Sequence, residues 1–495
     1  MGLSKYVRPK IVNTKMLLRI MGWLLIIEGV FMFIPGIVSF CLDEKDWWAF
    51  AAPATGTALF GLYLSRRFKP KSMHMGKRDG FLLTALVWVI FSFFGLIPFL
   101  LCAHKLSFSD AFFEAMSGFT TTGASVITSV GDMSHGVHLW RAMMQWIGGM
   151  GIILFTVALI PMLNHSGGMQ MFNAEVTGIT HDKIRPRISQ TAKMLWLIYI
   201  GLTAILIFLL WLGPMSLFES VCHAFGAIST GGYSTADQGV SAWHDYAYVK
   251  IVLIIFMFIG GVNFGLIYRT LRGEYSALRK NDVFRTYVMI IGLMLVLFVI
   301  TIIKRGQVSD WQSVTLDPLF HIVSTITSTG FTVSNFESWG PFVLSLTFVM
   351  MFFGSCAGST SGGAKIDRIL YLFKNAHNEL YRSLYPNAIL AVKINGRVVN
   401  PDLVNKVIAF LCIYMLLVVA GGLSLTLFGV PLVDAFFSSF SCLSNTGLGA
   451  GVTGYGNSYD ILPDATKWIL SALMLIGRLE IFTVLVLFTP AFWHR

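Results

Sequence analysis

Four stretches of this 495-residue chain join a leading acid to a trailing Thr-Gly pair: DAFFEAMSGFTTTGAS (110–125), FESVCHAFGAISTGGYS (218–234), DPLFHIVSTITSTGFT (317–332) and DAFFSSFSCLSNTGLGA (434–450). Aligned on Gly123, Gly231, Gly330 and Gly447, each glycine follows a threonine: Thr122, Thr230, Thr329 or Thr446. Asp110, Asp317 and Asp434 stand thirteen residues before it in three copies; the second copy has Phe218 there and Glu219 one place later. The chemistry open to such segments is electrostatic. An acid heading a short helix suits the positive end of the dipole and accepts from the free N–H groups. About twelve residues reach roughly 18 Å, halfway through a membrane, so the helix ends with partial negative charge aimed at the bilayer centre. The chain must then leave as extended backbone, which survives at that depth only where it lines a water-filled path. Glycine admits the φ > 0 conformations that turn successive carbonyls to one axis, where their dipoles can replace the hydration shell of a cation. A single Thr-Gly is an ordinary turn; four copies with shared flanks form a fourfold internal repeat.

The elements that must position these segments are apolar runs of about 20 residues, enough to cross a hydrocarbon core about 30 Å thick. Ten are expected, near 17–41, 47–65, 81–103, 139–163, 193–213, 246–268, 286–303, 341–373, 405–430 and 467–492. The first is too long for the apolar core of a signal peptide and reads as a retained helix. With the N-terminus inside, inner segments carry 28 Lys and Arg against seven outside, which sets an N-in, C-in topology. The short segments, and acids such as Asp110, Glu219, Asp317, Asp434, Asp460 and Asp464, then lie outside and should draw cations to that face. Boundaries follow: a two-helix unit at 1–78, then repeats at 79–192, 193–285, 286–404 and 405–495.

Composition excludes several functions. The chain is 55% hydrophobic and 12% charged, where soluble globules are about a quarter charged. Its net charge of +11 has no soluble domain on which to cluster, which disfavours nucleic acid as a partner. Six cysteines, at 41, 102, 222, 356, 412 and 442, form no C-x-x-C pair and read as packing residues. His104, His223 and His321 lack the i, i+4 spacing of a helical metal site and read as hydrogen-bonding groups. Trp47, Trp48 and Trp140 read as interface anchors. With no nucleophile–base constellation or paired carboxylates at the surface, an enzyme is not expected, nor a cofactor bound to this chain.

These motifs, over essentially the whole length, resemble the Trk/Ktr/HKT superfamily of potassium transporters, most closely its bacterial Trk type. The resemblance implies an all-α polytopic membrane protein: four M1–P–M2 units in pseudo-fourfold symmetry around one pore, two extra N-terminal helices, and a homodimer with a pore in each protomer. It implies a selectivity filter at Thr121, Thr122, Gly123 and Ala124; Ser229, Thr230, Gly231 and Gly232; Ser328, Thr329, Gly330 and Phe331; and Asn445, Thr446, Gly447 and Leu448. The carbonyls of Thr122, Gly123, Thr230, Gly231, Thr329, Gly330, Thr446 and Gly447 would hold K+. A serine in place of the first-loop glycine goes with sodium preference in plant members, so Gly123 points to potassium. A single aligned glycine per loop implies fewer ion sites than in tetrameric potassium channels.

Two further features fit. The eighth run is interrupted by GSCAGSTSGGAK (354–365), whose glycines cost up to about 1 kcal/mol each inside a helix. In the family this element resembles a flexible intramembrane gate, here Gly354, Gly358, Gly362, Gly363 and Lys365; a kink that eases packing is the alternative. A phosphate-binding loop is excluded, because Ala364 displaces Lys365 by one place and no strand precedes it. Arg478, within the last run, is a costly intramembrane charge. The family's matching arginine projects into the pore below the filter and would oppose cations; a structural ion pair is the alternative, and Glu480, two residues on, lies on a different helix face. Glu28 reads as a helix contact and Glu114 as a group behind a filter loop. The expected function is gated potassium uptake across the bacterial cytoplasmic membrane, driven by membrane potential and regulated by a cytosolic ring of nucleotide-binding subunits docked on basic inner loops 269–285 and 365–406. The alternative is symport of potassium with protons or sodium.

Overall fold

The computed structural model describes residues 12–70, 75–151, 188–307 and 310–494. Two long helices, α1 (Thr14–Cys41) and α2 (Trp47–Arg67), form a hairpin held by small residues. A β-carbon on Gly22 would stand 2.6 Å from the Gly61 carbonyl oxygen, and one on Gly29 2.8 Å from that of Ala54. Such close backbones are how apolar helices associate where lipid supplies no hydrophobic drive. The hairpin docks on the rest through Glu44, which accepts hydrogen bonds from the His135 and Gly136 amides and from Ser39 Oγ at 2.8, 3.4 and 2.7 Å. Partial burial pushes the Glu44 carboxyl up, but these bonds and one from the His135 ring outweigh it and hold the group below its ordinary value.

Four groups of helices follow. Each opens with a long helix: α3 (Lys77–Gly95), α6 (Ile188–Trp211), α10 (Asp282–Lys304) and α14 (Pro401–Leu427). Each continues with a short buried helix: α4 (Phe108–Phe119), α7 (Leu217–Ile228), α11 (Asp317–Ile326) and α15 (Leu432–Leu443). Each then has a further helix of 13–15 residues: α5 (His135–Gly149), α8 (Ala247–Gly260), α12 (Pro341–Phe353) and α16 (Asp464–Arg478).

The last set corrects the expected spans. Of the ten, five are single helices long and apolar enough to cross a membrane. The runs 246–268 and 467–492 are bent pairs: α8 turns by 104° into α9 (Phe264–Leu271), and α16 by 108° into Phe482–Phe488. The run 341–373 splits into α12 and α13 (Ile366–Leu384). The run 47–65 is α2, which is not among the helices that are long and apolar enough to cross. The second half of 139–163 and the bases at 183–187 lie outside the described residues. Three of the shorter helices stop at glycine, the residue least suited to a helix interior: α5 at Gly148–Gly149, α8 at Gly260–Gly261 and α12 at Gly354; in α16, Gly477 precedes the last helical residue, Arg478. The all-α expectation has one small exception among the described residues, an antiparallel pair of two-residue strands, β1 (Lys393–Ile394) and β2 (Arg397–Val398).

Trp140 corrects another expectation. It is fully buried, and its indole donates to the Gly95 carbonyl at 2.9 Å, so it anchors a helix contact; Trp47 and Trp48 are exposed. The cysteines are free thiols, four of them buried.

Candidate functional site

The four short helices end alike. The residue after each C-cap takes a left-handed conformation, with φ 54° at Thr121, Thr230, Ser328 and Asn445. The next amide donates five residues back: Thr122 to Ser117, Gly231 to Gly226, Thr329 to Ser324 and Thr446 to Ser441, at 2.8–2.9 Å. This is a Schellman cap, which ends a helix and satisfies its last carbonyls in one turn. Here a non-glycine residue sits at its left-handed position each time, at a cost of about 1–2 kcal/mol per loop. A second positive φ follows two residues later, at Gly123 (82°), Gly232 (83°), Gly330 (79°) and Gly447 (74°).

The second loop is therefore shifted by one from the expected alignment. Gly232, rather than Gly231, matches the other three glycines, and Gly231 takes the threonine position. The acid shows the same phase: Glu219 lies thirteen residues before Gly232, as Asp110, Asp317 and Asp434 lie before theirs. Thr230 falls at the left-handed position, and the residue after the glycine is Tyr233.

The four loops meet in a closed cycle. A β-carbon on Gly123 would overlap the Gly231 carbonyl oxygen; on Gly232, that of Thr329; on Gly330, that of Thr446; and on Gly447, that of Thr122. Loop one thus touches two, two touches three, three touches four, and four returns to one. Above the ring lies a cavity of about 700 Å³ whose wall includes Gly123, Gly232, Gly330, Gly447 and Leu448. Ala124 and Phe331 are buried, and the Phe331 ring lies 5.9 Å from that of His223.

The helix-heading acids serve neighbours more than their own helices. Glu219 alone forms a capping box, accepting from the Ser216 amide at 2.7 Å. Asp110 pairs with Lys467 of α16, Asp317 with Lys250 of α8 at 2.7 Å and with His244 at 3.0 Å, and Asp434 accepts from the Val452 amide at 3.0 Å. These partners offset part of the acidity expected to draw cations outside. Glu114 sits behind loop one as expected, accepting from Ser125 Oγ, the Val126 amide and Arg141 Nε at 3.1, 3.0 and 2.8 Å. His223 meets the Glu219 carbonyl and Ser234 Oγ, and His321 meets Thr347 Oγ1 at 3.0 Å. Glu28 is buried in α1, and its carboxyl makes no hydrogen bond among the described residues.

Beneath the ring runs the segment 354–365. Gly354, Gly358, Gly363 and Lys365 all have positive φ, and the chain folds back so that a β-carbon on Gly354 would stand 2.7 Å from the Gly362 carbonyl oxygen. The Gly362 amide donates to Ser328 Oγ at 2.6 Å, and a β-carbon there would overlap the Ser444 carbonyl oxygen. Thr360 Oγ1 donates to the carbonyls of Ile228 and Gly260 at 3.1 and 3.2 Å. The segment therefore touches the undersides of loops two, three and four, and the break after α8. Lys365 is buried and its ammonium donates to the Ser361 carbonyl.

Arg478 donates to Thr360 O at 2.7 Å, Gly148 O at 2.7 Å and Gly149 O at 2.9 Å. Its helix packs under loop four, where Gly477 abuts the Leu443 carbonyl, whereas Thr360 and Gly149 lie under loop two, against Ile228 and Ser229. Loops two and four are opposite in the cycle, so the guanidinium crosses beneath the ring. Glu480 pairs with Arg368 at 2.5 Å. Sequence reasoning missed Gln145, which is fully buried between loops one and two; a lone amide in an apolar run was the signal.

Residues 50–495 match the model of the TrkH family, described as a cation transport protein. The chain belongs to that family. The TrkH match extends to full-length relatives: it is 38% identical to the Trk system potassium uptake protein TrkH of Salmonella typhimurium, over 96% of this chain and 99% of that one. It is 36% identical to the protein of the same name from Escherichia coli, over the same shares. The crystal structure of the potassium transporter TrkH from Vibrio parahaemolyticus superposes with a TM-score of 0.88 at 31% identity, covering 97% of this chain and all of that one. Multi-pass insertion in a membrane follows from the family and the apolar helices.

Proposed function

We propose that this TrkH-family chain takes up potassium through one path between the four loops, with the repeats in pseudo-fourfold arrangement and the loops as selectivity filter. The observation that carries this reading is the closed cycle of glycine-to-carbonyl contacts beside a cavity that all four loops line. Such a ring presents main-chain oxygens to one axis, where they can replace the water of a dehydrated monovalent ion. The relatives named as Trk system potassium uptake proteins make potassium the ion of choice. With the register as observed, the coordinating carbonyls are those of Thr122, Gly231, Thr329 and Thr446, joined by those of Gly123, Gly232, Gly330 and Gly447.

Segment 354–365 and Arg478 form the gate in this reading. A guanidinium crossing the path repels cations, and small residues with few apolar anchors let the segment move. The 28 to 7 bias of basic residues supports cytoplasmic termini and the bacterial inner membrane as location. The proposal includes a homodimer with a pore in each protomer, and a cytosolic nucleotide-binding regulatory ring docked on 269–285 and 365–406. The exposed Phe373, Leu380 and Leu384 of α13 would serve such contacts. The chain itself would need no cofactor.

The test is flux in reconstituted vesicles. Current should reverse at the potassium equilibrium potential and stay there under an imposed pH gradient; a shift with pH would instead establish proton symport. Gly123→Ser places a β-carbon against the Gly231 carbonyl at φ 82° and should reduce potassium preference over sodium by about tenfold, a loss near 1.4 kcal/mol. An unchanged ratio overturns the filter assignment.

A further inference from the structure

The four loops are not equivalent behind the ring, and the odd one has a substitute part. In loops one, three and four, the threonine before the glycine is clipped to the C-cap hydroxyl two residues back: Thr120 to Thr122 at 2.8 Å, Thr327 to Thr329 at 2.7 Å and Ser444 to Thr446 at 2.8 Å. Loop two has Gly231 there and lacks the clip. Its C-cap residue Ser229 turns its hydroxyl to the Gly226 carbonyl at 3.2 Å. The space a side chain at 231 would take is filled by Gln145 from α5, with Oε1 2.6 Å and Cβ 2.9 Å from where a β-carbon would stand. Gln145 Nε2 donates to the Gly231 carbonyl at 2.7 Å, and its Oε1 accepts from the Tyr233 amide at 3.1 Å. One amide thus grips loop two on both sides of Gly232, and the carbonyl it holds is the one packed against Gly123 of loop one.

We infer that Gln145 is a positioning residue for ion selection, holding the Gly231 carbonyl at the ring as the threonine hydroxyl clips hold the other three loops. This rests on the filter reading above. An amide suits the task because it donates and accepts at once; a carboxylate of the same shape could only accept and would face the carbonyl with repulsion. The inference also explains why glycine stands at 231: any side chain would collide with Gln145.

The experiment is a bi-ionic reversal potential, potassium against sodium, on the full chain in vesicles. Gln145→Ala, which removes both bonds to loop two, should lower the preference for potassium by about tenfold, a loss near 1.4 kcal/mol. Gln145→Leu, which keeps most of the bulk and can neither donate nor accept, should lower it as far. Gly231→Thr alone should also lower it, through the clash. The double variant Q145A/G231T should return to within about twofold of the parent, because the cleared space lets the introduced hydroxyl reach Ser229 as in the other loops. A double variant no better than its worse single, or an unchanged ratio in both Gln145 variants, overturns the inference. Gly447→Ala, whose β-carbon meets the Thr122 carbonyl of loop one rather than Gln145, Gly231 or Tyr233, separates the two readings. If it changes the ratio while the Gln145 variants do not, the inference alone fails; if it too changes nothing, the filter reading fails.

Discussion

Around the outer half of the four loops, neighbouring helices are tied by buried charge pairs: Arg141 to Glu114, Lys250 to Asp317 and Lys467 to Asp110. Beneath the loops, segment 354–365 is joined to them through neutral hydrogen bonds from Thr360 and Gly362. The charged groups there, Arg478 and Lys365, donate to backbone carbonyls, and the one charge pair there among the described residues, Arg368 with Glu480, lies below the segment rather than between it and the loops. The difference is one of stiffness. A buried ion pair is costly to open, since either partner alone is an uncompensated charge in a medium that cannot solvate it. A hydroxyl or amide bonded to a carbonyl exchanges for water at a net cost of about 1 kcal/mol. The same ring of loops thus has a rigid upper mount and a releasable lower one, which suits the proposed filter above the proposed gate.

Breaking the upper mount should have the largest effect. Asp317→Asn leaves Lys250, fully buried, facing a neutral amide. We expect a loss of about 3–5 kcal/mol, seen as a fall in thermal unfolding temperature in detergent. The pair of substitutions Lys250→Met and Asp317→Leu should recover most of it, because no charge is then stranded. If the single variant is as stable as the double, the pair is not the support described here.

Arg478→Ala tests the lower mount, and should act on flux before stability. Its three carbonyl acceptors tie α16, under loop four, to α5 and segment 354–365 on the far side of the ring. Losing charge-assisted bonds worth about 1.5–3 kcal/mol should raise basal potassium uptake by about tenfold or more. The unfolding temperature should fall less than in Asp317→Asn. A closed pathway with unfolding as severe would make Arg478 structural and erase the contrast between the two mounts.

Much of the plan was legible. The short helices, their heading acids and the break at 354–365 follow from the length of apolar runs and the cost of glycine in a helix. The phase of the second loop was not, because its Gly231-Gly232 doublet offers two alignments and the Thr-Gly pair points to the wrong one. Glu219 carried the true phase, since a helix of fixed length and a Schellman cap set the distance from acid to glycine. The breaks after α5, α8 and α16 were also passed over, although the pairs Gly148-Gly149 and Gly260-Gly261 interrupt apolar runs as clearly as Gly354 does. What sequence cannot supply is pairing between groups 67 and 357 residues apart, as in Lys250 with Asp317 and Lys467 with Asp110. Those partners are chosen by the closure of the cycle.

The finest test of the comparison is Thr360→Val, which keeps the shape of the side chain and removes only its hydroxyl. That hydroxyl donates to Ile228 O and Gly260 O and accepts from Thr230 Oγ1 at 3.3 Å, so it joins the segment to loop two and to the break after α8. These are neutral bonds, and a net loss of about 1 kcal/mol shifts a two-state equilibrium by about fivefold. Open probability in single-molecule current should rise by that factor, with potassium preference and unfolding temperature unchanged, because the carbonyl ring and the outer charge pairs are untouched. A change in ion preference at equal open probability would mean that segment 354–365 supports the filter as rigidly as the pairs above it do, and the two mounts would be one.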